Sequence, residues 1–425
     1  METMENQSRV MQLMRKGVKI HNPDSITIGD DVSLDRISGD GVVIHGGCRL
    51  FGSATAIMPD CEIGYEGPVT IENCQLGRHV KLNGGFFSHS AFLEKASFGL
   101  GAHVRAGCLL EEEANGAHTV GLKQTVLFPF VTLGSLINFC DCFMAGGTSR
   151  RNHSEVGSSY IHFNYTPGQD KATPSLIGDV PRGVMLNQRP IFLGGQGGLV
   201  GPVRLGYGTV IAAGTVYRKD FPQGDGLLFA GSALKRQQPL HPGLYHNLKR
   251  IIINNINYIA NMISLKRWYQ EVRSLFFGPD PLGLALYEGA LEKIEMVLSE
   301  RIKRLKEVAE RMPESIEIYQ RVMKDRALQN QLELRREFFE YWSEIEEFLT
   351  DDANTTGNPE LRDEFLGHMS RKLHEKGKDY LQVVQGLGER GIRTGTEWLQ
   401  GIVDEINTGS LGLMPSFHAK GHSDH

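Results

Sequence analysis

The chain has 425 residues and a formal charge of only −5, enough length for two or three domains that each bury a core. So small a charge at this size gives no electrostatic case for nucleic acid or an anionic membrane as a partner. No apolar run approaches the roughly 18 residues of a membrane span, so a cytoplasmic protein is expected.

Residues 1–19, METMENQSRVMQLMRKGVK, have acids around their first apolar positions and no continuous apolar core. They read as an N-terminal segment and not as a signal peptide. Glycine then divides the chain, with 35 of its 50 glycines before residue 240. Over residues 20–240 short aliphatic residues return every six positions and are often followed by glycine, as in Ile28-Gly29, Ile63-Gly64, Leu76-Gly77, Phe98-Gly99, Leu133-Gly134, Ile177-Gly178 and Leu205-Gly206. A six-residue period of this kind marks a hexapeptide β-helix, in which each short strand forms one side of a coil and its aliphatic residue points into a narrow core. The glycines are expected at corners whose backbone conformations resist side chains. Residues 111–128 and 164–176 break the spacing and are expected to be loops outside the coils.

The six cysteines, Cys48, Cys61, Cys74, Cys108, Cys140 and Cys142, form no paired C-x-x-C blocks. They read as small apolar core residues, and no metal site is expected.

After about Pro242 the texture changes. Leu248, Ile252, Ile256, Ile259 and Ile263 recur with helical spacing, and Leu291, Ile294, Leu298, Ile302, Leu305 and Val308 form a second helical series with charges between them. A mostly α-helical region is expected over 241–350, then a loop at 351–358, a helical extension over 359–410 and a mobile tail over 411–425 that carries His418, His422 and His425.

Residues 199–216, LVGPVRLGYGTVIAAGTV, narrow the fold type. They resemble coils of the acetyltransferase domain of the bifunctional UDP-N-acetylglucosamine pyrophosphorylase/glucosamine-1-phosphate acetyltransferase family, which has a similar Leu-Val-Ala-Pro-Val and then Ile-Ala-Ala-Gly-Thr. That family also carries a Lys-Lys pair followed by Gly-Ser-Lys-Ala-Gly-His-Leu-Thr-Tyr. Here Arg150-Arg151 lies at the spacing of the pair, and GSSYIHFNY, residues 157–165, falls on the second segment.

The resemblance implies a left-handed parallel β-helix, a homotrimer with sites between neighbouring chains, and acetyl-CoA as cosubstrate. It implies that His162 is the general base, that Arg105, Arg150, Arg151 and Tyr165 contact the substrate, and that Gly195, Ala212 and Ala213 contact the acyl-CoA. His153 is the second candidate base. The physical requirement agrees, because acylating an amine needs a group that takes its proton near neutral pH, and guanidinium groups suit a phosphate. The Gly-rich nucleotide loop of the family's pyrophosphorylase half has no match, so uridylyl transfer is not expected. The expected activity is acyl-CoA-dependent N-acylation of an amino sugar phosphate or nucleotide-linked amino sugar. The alternative is a non-catalytic trimeric sugar-nucleotide-binding or scaffold protein, in which His162 is a structural side chain bonded across coils.

Overall fold

The computed structural model describes residues 2–166, 170–229, 241–324 and 328–417. The tail histidines His418, His422 and His425 lie outside the described residues.

Strands of two to four residues recur three times per turn, and within the three main sheets each pairs in parallel with the strands one turn before and after. Three parallel sheets of eleven, ten and eight strands result, called here faces A, B and C in chain order. The six-residue period therefore encodes a three-sided parallel β-solenoid. On face A the alternation is plain: Glu62-Ile63 stands in register with Lys81-Leu82, with the aliphatic side chain inward and the polar one outward.

Glycine serves the corners in two ways. Gly178 has a φ of 88°, which side chains resist. Gly134 has an ordinary φ, but a Cβ there would lie 2.8 Å from the backbone nitrogen of Ser158 in the next turn. In that second case coil-to-coil approach, not backbone conformation, demands the glycine.

Residues 111–128 are not a loop outside the coils. Asn115–Gly116, Val120–Lys123 and Val126–Leu127 pair with the turns on both sides. Their polar residues sit at corners and outward positions, which do not disturb the inward column. The true insertions are an antiparallel hairpin, Gly147–Ser149 with Asn152–His153, the stretch between Phe163 and Ser175, and residues 178–191; the expected loop 164–176 ends early, because Ser175–Ile177 is a buried strand of face C.

Helix α1 (Glu2–Lys16) closes the first turn. Its Asn6 donates to the Ile26 carbonyl and accepts from the Ile28 amide, both at 2.8 Å, and so pairs backbone groups that an open sheet end would leave unpaired. Helix α2 (Val180–Gly183) lies in the last insertion. Eight more follow: α3 (Leu248–Glu271), α4 (Pro281–Glu310), α5 (Met312–Met323), α6 (Gln329–Glu340), α7 (Trp342–Thr350), α8 (Pro359–Lys376), α9 (Tyr380–Gln385) and α10 (Glu389–Gly412). A 3-10 turn, Asp352–Thr355, links α7 to α8. Where the sequence suggests a mobile tail, α10 carries ordered chain through Gly412, and Met414 beyond it is buried.

The helices pack onto the solenoid. Helix α4 lies along face C, and α3 sits between the solenoid, α4 and α10. The outward column of face C, Ala56, Gln75, Ala91, Leu109, Val126, Phe143 and Leu176, is consequently buried. Polar pins cross the same boundary. Tyr269 donates to Glu111 at 2.6 Å, Arg273 to Glu112 at 2.6 Å and Arg301 to Asp141 at 2.8 Å. Five of the six cysteines are buried within this body, and burial pushes the Cys61, Cys74 and Cys108 thiols up to about 12. None of the helices among the described residues is long and apolar enough to cross a membrane.

Candidate functional site

His162 lies on the inward side of the face B strand Ile161–Phe163 and is 4% exposed. Its Nε2 is 2.8 Å from the Ser175 hydroxyl, whose oxygen also accepts from the Val203 amide at 3.1 Å. The imidazole thus ties together three successive pieces of the coil. Burial pushes its pKa down to about 4, since a charged ring would lose its hydration there. The resemblance assigns the general base to this residue, yet its ring is turned into the solenoid and away from any ligand on the surface of this chain. Ser175, the partner, was not singled out from the sequence; its only signal is a hydroxyl one position before the apolar pair Leu176-Ile177.

The hairpin between faces C and A gathers different chemistry. Arg150 Nη1 donates to the carbonyls of Phe130 at 2.8 Å and Glu113 at 3.2 Å and to the Thr132 hydroxyl at 3.0 Å, so its guanidinium straps two turns together. Arg151 is exposed, and its guanidinium has no partner among the described residues. His153 Nδ1 is 2.9 Å from the Arg150 carbonyl. A carbonyl can only accept, so Nδ1 donates in this contact. The Nε2 of His153 lies 3.8 Å from the Glu155 carboxylate.

Gly195, Ala212 and Ala213 fall together at the corner between faces A and B. Small residues stack there from turn to turn, with Gly157-Ser158 above Gly194-Gly195 and Gly194-Gly195 above Ala212-Ala213. The Gly214 amide donates to the Gly195 carbonyl at 2.9 Å, and a Cβ on Gly194 would collide with the Ala213 nitrogen. Arg105 is elsewhere, exposed on face B with Nη2 3.8 Å from Cys140 Sγ. Tyr165 is 66% exposed where face B leads toward face C. Within one chain, then, the acyl-CoA candidates share one edge, the arginine pair and His153 share a second, and Tyr165 marks the third. Among the described residues no group of three or more His, Cys, Asp or Glu is placed to hold a metal ion.

No protein-family profile matches the chain. Comparison with individual proteins finds the bifunctional protein GlmU of Synechococcus elongatus, 31% identical over 213 residues, which are 50% of this chain and 42% of that protein. GlmU of Trichlorobacter lovleyi is 29% identical over 213 residues, 50% of this chain and 41% of the relative. GlmU of Fervidobacterium nodosum is 29% identical over 224 residues, 52% and 44% respectively. The chain spans less than half the length of these curated relatives. On a parallel β-solenoid of hexapeptide-repeat type, and over half of its own length, this chain is similar to the bifunctional GlmU proteins.

Proposed function

We propose that the protein is an acyl-CoA-dependent N-acyltransferase whose acceptor is an amino sugar bearing a phosphate or nucleotide. The similarity to GlmU proteins supports the reaction class. The observation that carries the chemistry is the hairpin, where the Arg150 carbonyl orients the His153 ring through Nδ1 and the same short loop carries Arg151, whose guanidinium has no partner among the described residues. In the proposed step the acceptor amine attacks the thioester carbonyl of acetyl-CoA, a C–N bond forms and the C–S bond breaks. The amine proton passes to His153 Nε2 and then to the departing thiolate of CoA. Arg151 holds the phosphate by charge-assisted hydrogen bonds. The Gly195, Ala212 and Ala213 edge accepts the acyl-CoA, and because it lies on another edge of the prism, a neighbouring copy supplies it in a trimer.

An acetyl-CoA consumption assay across amino sugar phosphates and nucleotide-linked amino sugars tests this. With the preferred acceptor, His153→Ala should lower kcat about a hundredfold, whereas His162→Gln should lower thermal stability and leave turnover per folded chain unchanged. Arg151→Ala should raise KM for the acceptor more than it lowers kcat. Turnover with no acceptor would replace this reading with the non-catalytic scaffold, which the interior position of His162 favours.

A further inference from the structure

A cavity of about 550 Å³ opens where the last solenoid turns meet the start of the helical half, a volume in the range that holds small-molecule ligands. Three stretches far apart in sequence form it. Tyr165 comes from the face B exit, Pro202 and Arg218 from the two following turns, and His241, Leu244 and His246 from the approach to α3.

Most charged groups around this cavity are already committed. The buried Asp170 carboxylate accepts from the Tyr245 hydroxyl at 3.1 Å and the Ala172 amide at 3.0 Å. Arg250 donates to Asp220 at 2.9 Å and to the Pro202 carbonyl at 2.6 Å. Arg218 differs: it is exposed, and its guanidinium has no partner among the described residues. The cavity therefore brings together an exposed guanidinium with no partner among the described residues, two imidazoles, an apolar wall at Pro202 and Leu244, and the exposed ring of Tyr165.

We infer that this cavity binds a phosphorylated, ring-containing metabolite, with the phosphate on Arg218 and the ring against Tyr165. A guanidinium presents paired donors that match phosphate oxygens, and an aromatic side chain gives a ring apolar contact area. A sugar phosphate and a nucleotide sugar share this chemistry. The site is separate from the hairpin of Arg151 and His153, and it uses residues of the helical half, so it does not rest on the acyl-transfer reading.

Isothermal titration of the full chain tests the inference, with inorganic phosphate, glucosamine 1-phosphate and UDP-N-acetylglucosamine as probes and no acetyl-CoA present. The titration is run on an Arg151→Ala background, which removes the guanidinium of the hairpin. At least one ring-bearing probe should bind that chain more tightly than inorganic phosphate, and the tighter of the two identifies the source of the phosphate. Adding Arg218→Ala should weaken it about tenfold or more. Adding Tyr165→Ala instead should weaken the ring-bearing probe and leave inorganic phosphate unchanged. Absence of binding in the Arg151→Ala chain would overturn the inference, as would binding that Arg218→Ala leaves intact. Arg218 and Tyr165 are both exposed, so neither substitution threatens the fold.

Discussion

At the scale of single residues, His162 shows how far a motif reaches. Ile161-His162-Phe163 alternates apolar and polar, which read alone turns the apolar pair inward. The structure does the reverse because register is shared along the face: His162 stands opposite Leu199, an interior residue, and Ile161 opposite Asn138 on the outer side. The buried ring has a consequence for pH. Its folded pKa of about 4 lies below an unfolded value of about 6.5, so between those values the unfolded chain binds the proton. The contribution of His162 to stability is complete above about pH 6.5 and is lost as pH falls toward 4, by roughly 3 kcal/mol at most. Glu111 acts in the opposite sense, since burial raises its pKa to about 7 and the folded state keeps that proton. Thermal melts of wild type and His162→Gln from pH 4 to 7.5 should therefore converge toward acid, with the difference between them widest near neutrality. A constant difference would show that the ring is not held neutral.

At the scale of elements, the acidic run Glu111-Glu112-Glu113 is instructive. In sequence it looks like a solvated turn. In the structure Glu111 and Glu112 are buried and hold α3 through Tyr269 and Arg273. Arg273, in the short turn that follows α3, also stacks on the ring of Tyr380 in α9, 3.7 Å from the ring centroid, so one guanidinium joins the solenoid to the end of α3 and to α9. Removing one partner of a buried pair leaves an unpaired charge, which costs about 3–5 kcal/mol. Arg273→Met should accordingly lower stability by about that amount in urea unfolding. Glu112→Gln combined with Arg273→Met should recover part of the loss, and strictly additive effects would show that the pair is not coupled. A local reading of residues 111–128 missed this because the partners lie more than a hundred residues away.

At the scale of the whole molecule, the helical half packs on face C of the prism, and faces A and B carry exposed side chains. Exposed apolar residues collect on both open faces near the last turns: Phe192, Val210 and Leu227 on face A, and Ile161, Phe163 and Val216 on face B. Contiguous exposed apolar surface of this kind marks an interaction site. Sedimentation should report a trimer or a multiple of three, and a stable monomer at micromolar concentration would remove the inter-chain site proposed above. A chain ending at residue 240 should bind a hydrophobic dye and precipitate, because it would expose the face C column from Ala56 to Leu176; a soluble, dye-negative truncated chain would contradict the packing seen here.

The sequence alone determined the solenoid and the start of the helices, because a six-residue period and a 3.6-residue period each repeat an interaction that neighbouring residues can satisfy. It also contains the covered face, in strand pairs that are apolar at both positions, such as Leu109-Leu110, Val126-Leu127 and Phe143-Met144. Gly195 and the pair Ala212-Ala213 follow the in-register face A pairs Phe192-Leu193 and Val210-Ile211, which is why the coils bring them to one edge, although the sequence singles them out only through the resemblance. Only the tertiary structure decided that His162 faces inward, that Arg150 is spent on carbonyls while the Arg151 guanidinium has no partner among the described residues, and that Arg218 lines one cavity with Tyr165 and His241. Those outcomes depend on insertion lengths at the corners and on helices that return from far along the chain, and no local period records either.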